Sequence, residues 1–225
     1  LPPRLGTGCM IIGCVNAYQD AELLGASLPP LATLVDRVIL VDGAYRDFAL
    51  YSDSPASNDG TQAIARAYGA EVLEAIPGLD EIQKRTRYFA GRNGDWYLVI
   101  DADEVVESSL AREDLRRELV LSAHDDYAIP FYQAEAPWES KHRTVLRLHR
   151  HRDGICYRGT HHAVHTPAAD GLLRMAIRPQ DAPRFERLKI RHLSRLRTVE
   201  RMDRKAAYYQ RLAVAEREFR AAHGL

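Results

Sequence analysis

A chain of 225 residues can bury one sizeable core, and its length fits a single α/β domain with a decorated end better than two domains. Its 31 basic and 31 acidic residues cancel, which excludes a bulk field for nucleic acid or an anionic membrane and leaves any polyanion to bind locally. Three cysteines, Cys9, Cys14 and Cys156, are an odd number without metal-ligand spacing, which speaks against a disulfide framework and for a reducing compartment.

Four strand-like runs are expected in the first half, at 8–15, 37–42, 70–75 and 95–101. Helix-like stretches fall between them at 21–28, 59–68 and 79–91, with Ser57, Asn58 and Asp59 as N-cap residues for the second. Strands alternating with helices imply a parallel sheet with right-handed crossovers, which brings Asn16, Asp42 and Asp101 to one carboxyl-terminal edge. A helix is expected over 108–123, capped by Ser108 or Ser109. Shorter strand-like pieces at 127–132, 144–148, 155–157 and 188–190 suggest a mixed or antiparallel region beside the parallel half, followed by a terminal helix over 198–223. The stretch 43–58 is long for a structureless connection and is expected to be a substrate loop. No stretch approaches the roughly 18 consecutive apolar residues of a membrane span, and Leu1-Pro2-Pro3-Arg4 lacks a signal-peptide layout. A cytoplasmic protein without an integral membrane segment is therefore expected.

The richest segment is Trp96-Tyr97-Leu98-Val99-Ile100-Asp101-Ala102-Asp103-Glu104, an apolar run that ends in three carboxylates. Uninterrupted apolar runs mark strands buried on both faces, and ligands of open α/β sheets gather where such strands end. A divalent ion, Mg2+ or Mn2+, shared with a substrate diphosphate would account for the crowding of acid there. The competing reading is that one Asp caps a helix and the others are solvated.

These residues resemble the family 2 glycosyltransferases of GT-A fold. The resemblance rests on Val38-Ile39-Leu40-Val41-Asp42, Asp59-Gly60-Thr61, Gly69-Ala70, and Gly94-Asp95-Trp96 running into the Asp101-Ala102-Asp103 triplet. In the second half, Arg147-Leu148-His149-Arg150 followed by Gly154, Tyr157 and Gly159, and later Ile190-Arg191-His192, are similar to further family segments. The resemblance implies one GT-A domain over 1–225, Rossmann-like and mostly parallel, with a nucleotide-sugar half at 1–107 and an acceptor half at 108–225. It implies inverting transfer of a sugar from a nucleotide-diphosphate donor, UDP-sugar favoured, to a glycan, protein or small-molecule acceptor, with Mn2+ or Mg2+. By position, Asp103 is the metal ligand and His192 its partner. Asp101 binds ribose or reaches the metal through water, beside Ala102. Asn16 and Tyr18 wrap the nucleoside, Asp42 meets base or ribose, and Arg87 lies against the nucleotide. Glu104 has a supporting place.

The chain departs from the family after the first strand, where Asn16-Ala17 replaces Asn-Glu, and after Asp42, where an insertion replaces a short turn. It also carries Ala163 after His162 where relatives have a Glu, so His162 is the candidate base, with His161, Glu135 and Glu139 as alternatives. That gap keeps a nucleotide-sugar- or glycan-binding module without turnover in view. A nucleotidyltransferase is expected to place a Gly-rich loop after the first strand, where this chain has Val15-Asn16-Ala17-Tyr18. A zinc reading of His149, His151, His161, His162 and His165 lacks a completing Cys or Glu. The basic tract Lys141, Arg143, Arg147, Arg150 and Arg152 reads either as a solvated strand face or as a contact for diphosphate or an anionic acceptor.

Overall fold

The computed structural model describes residues 9–46, 54–91, 94–134, 143–158, 160–178 and 180–193, apart from the side chains of 160–163, with single positions between 198 and 214. Among these the elements run β1 (Ile11–Asn16), α1 (Ala21–Leu34), β2 (Arg37–Val41), α2 (Thr61–Ala67), β3 (Glu71–Leu73), α3 (Glu81–Thr86), β4 (Trp96–Asp101) and β5 (Glu104–Ser108). They continue with α4 (Arg112–Val120), β6 (Asp126–Gln133), β7 (Arg143–Arg150), β8 (Cys156–Arg158), β9 (Thr160–Pro167), β10 (Leu173–Met175) and β11 (Leu188–His192).

The main sheet has the order β3-β2-β1-β4-β7-β6-β11-β5, and β10-β9-β8 form a second, three-stranded sheet. The β3-β2-β1-β4 half is parallel. Beyond β4 the pairing is antiparallel to β7 and β6, parallel from β6 to β11, and antiparallel to β5. A parallel half built by helical crossovers, extended by a mixed half in the same sheet, is a GT-A-like α/β architecture. The mixed strands expected beside the parallel half are present: those at 127–132, 144–148 and 188–190 continue its sheet as β6, β7 and β11, whereas that at 155–157 belongs to the second sheet.

Alternation along each central strand explains why both faces are covered. Ile11, Val15, Val38, Leu40, Leu98 and Ile100 point to one side and pack with Leu24, Leu28 and Leu31 of α1, Ala65 of α2, and Leu115 and Leu119 of α4. Their neighbours Ile12, Cys14, Ile39, Val41, Tyr97 and Val99 point to the other side, onto Tyr88 and Phe89 after α3 and onto Ile155, Tyr157 and Val164 of the small-sheet region.

Several boundaries differ from the sequence expectation for identifiable reasons. Helix α1 passes through Pro29 and Pro30 and ends at Leu34, beyond the expected stop at 28. An interior proline costs about 3 kcal/mol, but each fully buried leucine of the stripe Leu24, Leu28, Leu31 and Leu34 returns roughly 1.5–3 kcal/mol. The segment 104–108, ahead of and overlapping the first residue of the helix expected over 108–123, is strand β5, because β-branched Val105 and Val106 are buried and pair with β11. Helix α4 consequently begins only at Arg112, with Ala111 as N-cap in place of Ser108 or Ser109. The N-cap of α2 is Gly60, at φ 96° and without a side-chain cap, not one of Ser57, Asn58 and Asp59; Asp59, just before it, accepts from the Thr61 amide and hydroxyl through Oδ1 and from the first amide of α1 through Oδ2. Strands β9 and β10 were not expected, since the His- and Thr-rich sequence of β9 hides its period and β10 is only three residues long. The terminal helix expected over 198–223 lies for the most part outside the described residues. Among the described residues no helix is long and apolar enough to cross a membrane.

Helix α1 lies directly on β1 where Gly13 leaves room: a Cβ there would sit 3.0 Å from Leu31 Cγ and Cδ2. Gly13→Val is therefore expected to lower stability by about 1–3 kcal/mol through overpacking, read as a fall in the urea midpoint. An unchanged midpoint would contradict this close approach.

Candidate functional site

The parallel strands end together, and their last residues pair in register: Asn16 with Val41 on one side and Asp101 on the other. Asn16 is almost fully buried; its Nδ2 donates to the Tyr45 hydroxyl at 2.7 Å, and its buried Oδ1 has no hydrogen-bond partner among the described residues. Tyr18 donates its hydroxyl to the Ser54 carbonyl at 2.8 Å. Asp42 is 1% exposed, and its carboxylate accepts from the Ser57 amide, the Ser57 hydroxyl and Gln62 Nε2. It thereby ties the far end of the 43–58 stretch to the strand edge. Residues 47–53, the middle of that expected substrate loop, lie outside the described residues.

Beyond β4 the chain makes a tight turn into β5, and the carboxylates of that turn face different partners. Asp101 has the parity of Tyr97 and Val99, so it stands on the side of α3 and β8. Its Oδ1 meets Arg85 Nη2 at 2.7 Å and its Oδ2 meets Arg147 Nη2 at 3.1 Å. Glu104 is 2% exposed; its Oε2 accepts from the Asp101 amide at 2.9 Å and its Oε1 from Arg147 Nη2 at 2.5 Å. Burial pushes Glu104 up to about 6, against the downward pull of Arg147. Burial works to lower the Arg147 pKa, but Glu104 and Asp101 outweigh it and raise it above the ordinary value. Ala102 is buried, and its amide donates to the Asn16 carbonyl at 3.0 Å, which stitches the turn to β1.

Asp103 turns toward β11. Its Oδ2 lies 3.4 Å from His192 Nε2, and its carbonyl accepts from the Leu193 amide at 2.7 Å. The register of β11 against β5, which sets His192 opposite Glu104, produces this approach. His192 Nδ1 lies 3.2 Å from Gln133 Oε1, and the ring packs 5.1 Å from that of Phe131. A proton on Nδ1 donated to Gln133 leaves the Nε2 lone pair facing the Asp103 carboxylate. Two acceptors can face each other in this way when a proton or a metal cation lies between them.

The remaining expected residues are placed as follows. Arg87 is the half-buried C-cap of α3, and it is Arg85, two positions earlier, that reaches Asp101. His162 lies in β9, but its side chain is outside the described residues, as are Glu135, Glu139 and Lys141. His149 is fully buried, with Nδ1 2.8 Å from Asp126 Oδ1, and Arg152 grips the same Asp126 with two nitrogens at 2.7 Å. Burial, opposed by Asp126, holds the His149 pKa below its ordinary value. His151 instead meets the Tyr97 hydroxyl at 2.9 Å. Among the described residues no group of three His, Cys, Asp or Glu side chains is disposed to hold a metal ion by itself.

Sequence reasoning missed Arg85 and Lys84 as parts of this edge, and Arg147, expected as a solvated strand-face residue or a diphosphate contact, instead pairs with Asp101 and Glu104. A signal existed for α3: Tyr88 and Phe89 are buried four positions after Lys84 and Arg85, which sets the inward face of that helix. For Arg147 the strand period gave no signal: it is the extra residue of a β-bulge, where Tyr127 pairs with Leu148 and Ala128 with Leu146, and those two leucines join different apolar clusters.

No protein-family model matches the chain. A TPR repeat-containing protein of Synechococcus elongatus is 34% identical over 91 residues, which is 40% of this chain and 20% of that protein. The chain thus spans a fifth of the length of the curated relative it matches. Among solved structures, TarS of S. aureus in complex with UDP-GlcNAc is similar at 16% identity and TM-score 0.41, over 57% of this chain and 36% of that one. The mannosyltransferase PcManGT from Pyrobaculum calidifontis, in complex with GDP-Man and Mn2+, is similar at 18% identity and TM-score 0.40, over 57% of this chain and 36% of that one. Glucosyl-3-phosphoglycerate synthase from Mycobacterium tuberculosis, with Mn2+, UDP and phosphoglyceric acid, is similar at 19% identity and TM-score 0.36, over 57% of this chain and 45% of that one.

Lys84 gives the edge a measurable pH signature. It is 2% exposed, and its Nζ donates to the Ala17 and Gly43 carbonyls at 2.7 and 2.6 Å, below the Tyr45 ring. A neutral amine has two N–H groups, enough for both carbonyls. Desolvation lowers the Lys84 pKa from 10.5 to about 7, although Asp42 pulls it upward. Between those values the unfolded chain binds the proton that the folded chain releases, so the native state gains stability as pH rises. Urea midpoints of the native protein and Lys84→Met, compared across this window, should diverge in favour of the native protein with increasing pH; parallel curves would contradict the assignment.

Proposed function

We propose that the chain is a metal-dependent glycosyltransferase domain that moves a sugar from a nucleotide-diphosphate donor, UDP-sugar favoured, to an acceptor. The observation that carries this reading is the 3.4 Å approach of Asp103 Oδ2 and His192 Nε2 at the carboxyl edge of a doubly covered parallel sheet. Strand ends of this kind are where open α/β sheets bind ligands. One carboxylate and one imidazole suit Mn2+ or Mg2+, which keeps further positions for phosphate oxygens and water. When bound, the ion supplies neutralisation of the departing diphosphate.

In this reading Asp103 and His192 hold the cation, and Gln133 orients His192 through Nδ1. Asn16 offers its buried Oδ1, unpartnered among the described residues, to a donor group of the nucleoside. Tyr18 and Asp42 shape that side by holding the 54–62 segment at Ser54, Ser57 and Gln62. Arg87 lies on the nucleotide side, Asp101 and Ala102 complete the turn, and His162 is the candidate base for an inverting transfer.

The test is thermal stabilisation by a panel of nucleotide sugars with and without Mn2+. A donor at 100 times its Kd stabilises the fold by about 2.7 kcal/mol, and this gain should require Mn2+. Asp103→Asn is expected to abolish Mn2+-dependent stabilisation and transfer, and His192→Ala to weaken both at least tenfold; full activity in Asp103→Asn would overturn the reading. Donor binding without transfer or hydrolysis would identify a binding module, and pyrophosphate release from a nucleoside triphosphate and sugar phosphate a nucleotidyltransferase.

A further inference from the structure

The turn from β4 to β5 is held by a residue that no carboxylate motif announces. Arg147 comes from β7, the neighbour of β4 on the side away from β1, and is 2% exposed. Its single Nη2 nitrogen lies 3.1 Å from Asp101 Oδ2 and 2.5 Å from Glu104 Oε1, so it joins the two ends of the turn. Glu104 closes the same turn from within, by accepting the Asp101 amide at 2.9 Å. Asp103 sits between these clamped ends, and Glu104 is also the β5 residue paired with His192. The position of Arg147 therefore bears on both proposed cation ligands at once.

We propose that Arg147 is a positioning residue for the cation site: by bridging Asp101 and Glu104 it fixes the turn in the shape that aims Asp103 at His192. This rests on the reading that a divalent cation binds between Asp103 and His192. The arginine does not touch the cation. It neutralises the carboxylates that flank Asp103, with Arg85 taking the other oxygen of Asp101, and so lets three acids crowd one turn without driving it open. Outer groups that orient metal ligands commonly carry 10–100-fold of the affinity.

The alternative is that Arg147 merely offsets the burial of Glu104, and stability separates the two roles. Removing Arg147 alone leaves a buried carboxylate uncompensated, whereas replacing both members of a buried pair by neutral groups is far milder. Mn2+ affinity, with and without UDP, is measured by the loss of the free-ion EPR signal for the wild type, Arg147→Lys and the double variant Arg147→Met/Glu104→Gln, beside their melting temperatures. The double variant is expected to melt near the wild type yet bind Mn2+ about tenfold more weakly, and Arg147→Lys to regain part of that loss. Wild-type Mn2+ affinity in the folded double variant would overturn the proposal and leave Arg147 a structural counter-ion. If the double variant does not fold, Arg147→Lys decides: weakened Mn2+ binding at unchanged melting temperature supports the proposal, and wild-type binding overturns it. Failure of the wild type to bind Mn2+ even with UDP removes the cation reading, and the proposal with it.

Discussion

A carboxylate can be buried only if opposite charge or hydrogen-bond donors are buried with it. The end of β4 meets this requirement with two arginines that are themselves almost inaccessible, Arg85 from α3 and Arg147 from β7. Each comes from a different neighbour of the central strand, so the charge balance at Asp101 depends on the sheet and its covering helix being assembled. Glu104 depends on the same arginine. The turn that carries Asp103 is thus a product of the packed fold and not of its own four residues.

The sheet supplies the frame for this balance. Because β1, β2 and β4 are buried on both faces, their side chains are spent on packing, and polar groups are confined to the ends. Gly43, at φ 115°, lies where a Cβ would come within 2.7 Å of Ala75 Cβ, and this lets the chain leave β2 past its neighbour. Its carbonyl then becomes one of the two acceptors of Lys84. Backbone clearance, a buried amine and a clamped Asp42 together fix the β1–β2 side of the edge. Asp103, His192 and Gln133 fix the opposite side.

Much of the parallel half could be read directly, because a doubly covered strand announces itself as an apolar run and a crossover helix by its period. Positions 96–101 and 37–41 are of this kind. The mixed half was harder. In 104–108 two valines flanked by acids fit a helix entrance and a strand equally well, and only pairing with β11 selects the strand. In 160–167 the residues Thr160, His161, His162, His165 and Thr166 obscure the alternation that β9 follows. Helix α1 shows the reverse case, in which a local rule against Pro29 and Pro30 yields to four buried leucines.

From sequence alone come the apolar strands, the crossover helices, the convergence of Asn16, Asp42 and Asp101 on one edge, and the acidic turn, because these depend on periods and on the geometry of single elements. Tertiary structure alone decided which charges meet. It drew Arg85 and Arg147 to Asp101 and spent Asp42 on Ser57 and Gln62, whereas the meeting of Asp103 and His192 had been implied by the family resemblance. Contacts of this kind are set by strand register and by the need to pair every buried charge, and neither is written in the spacing of residues along the chain.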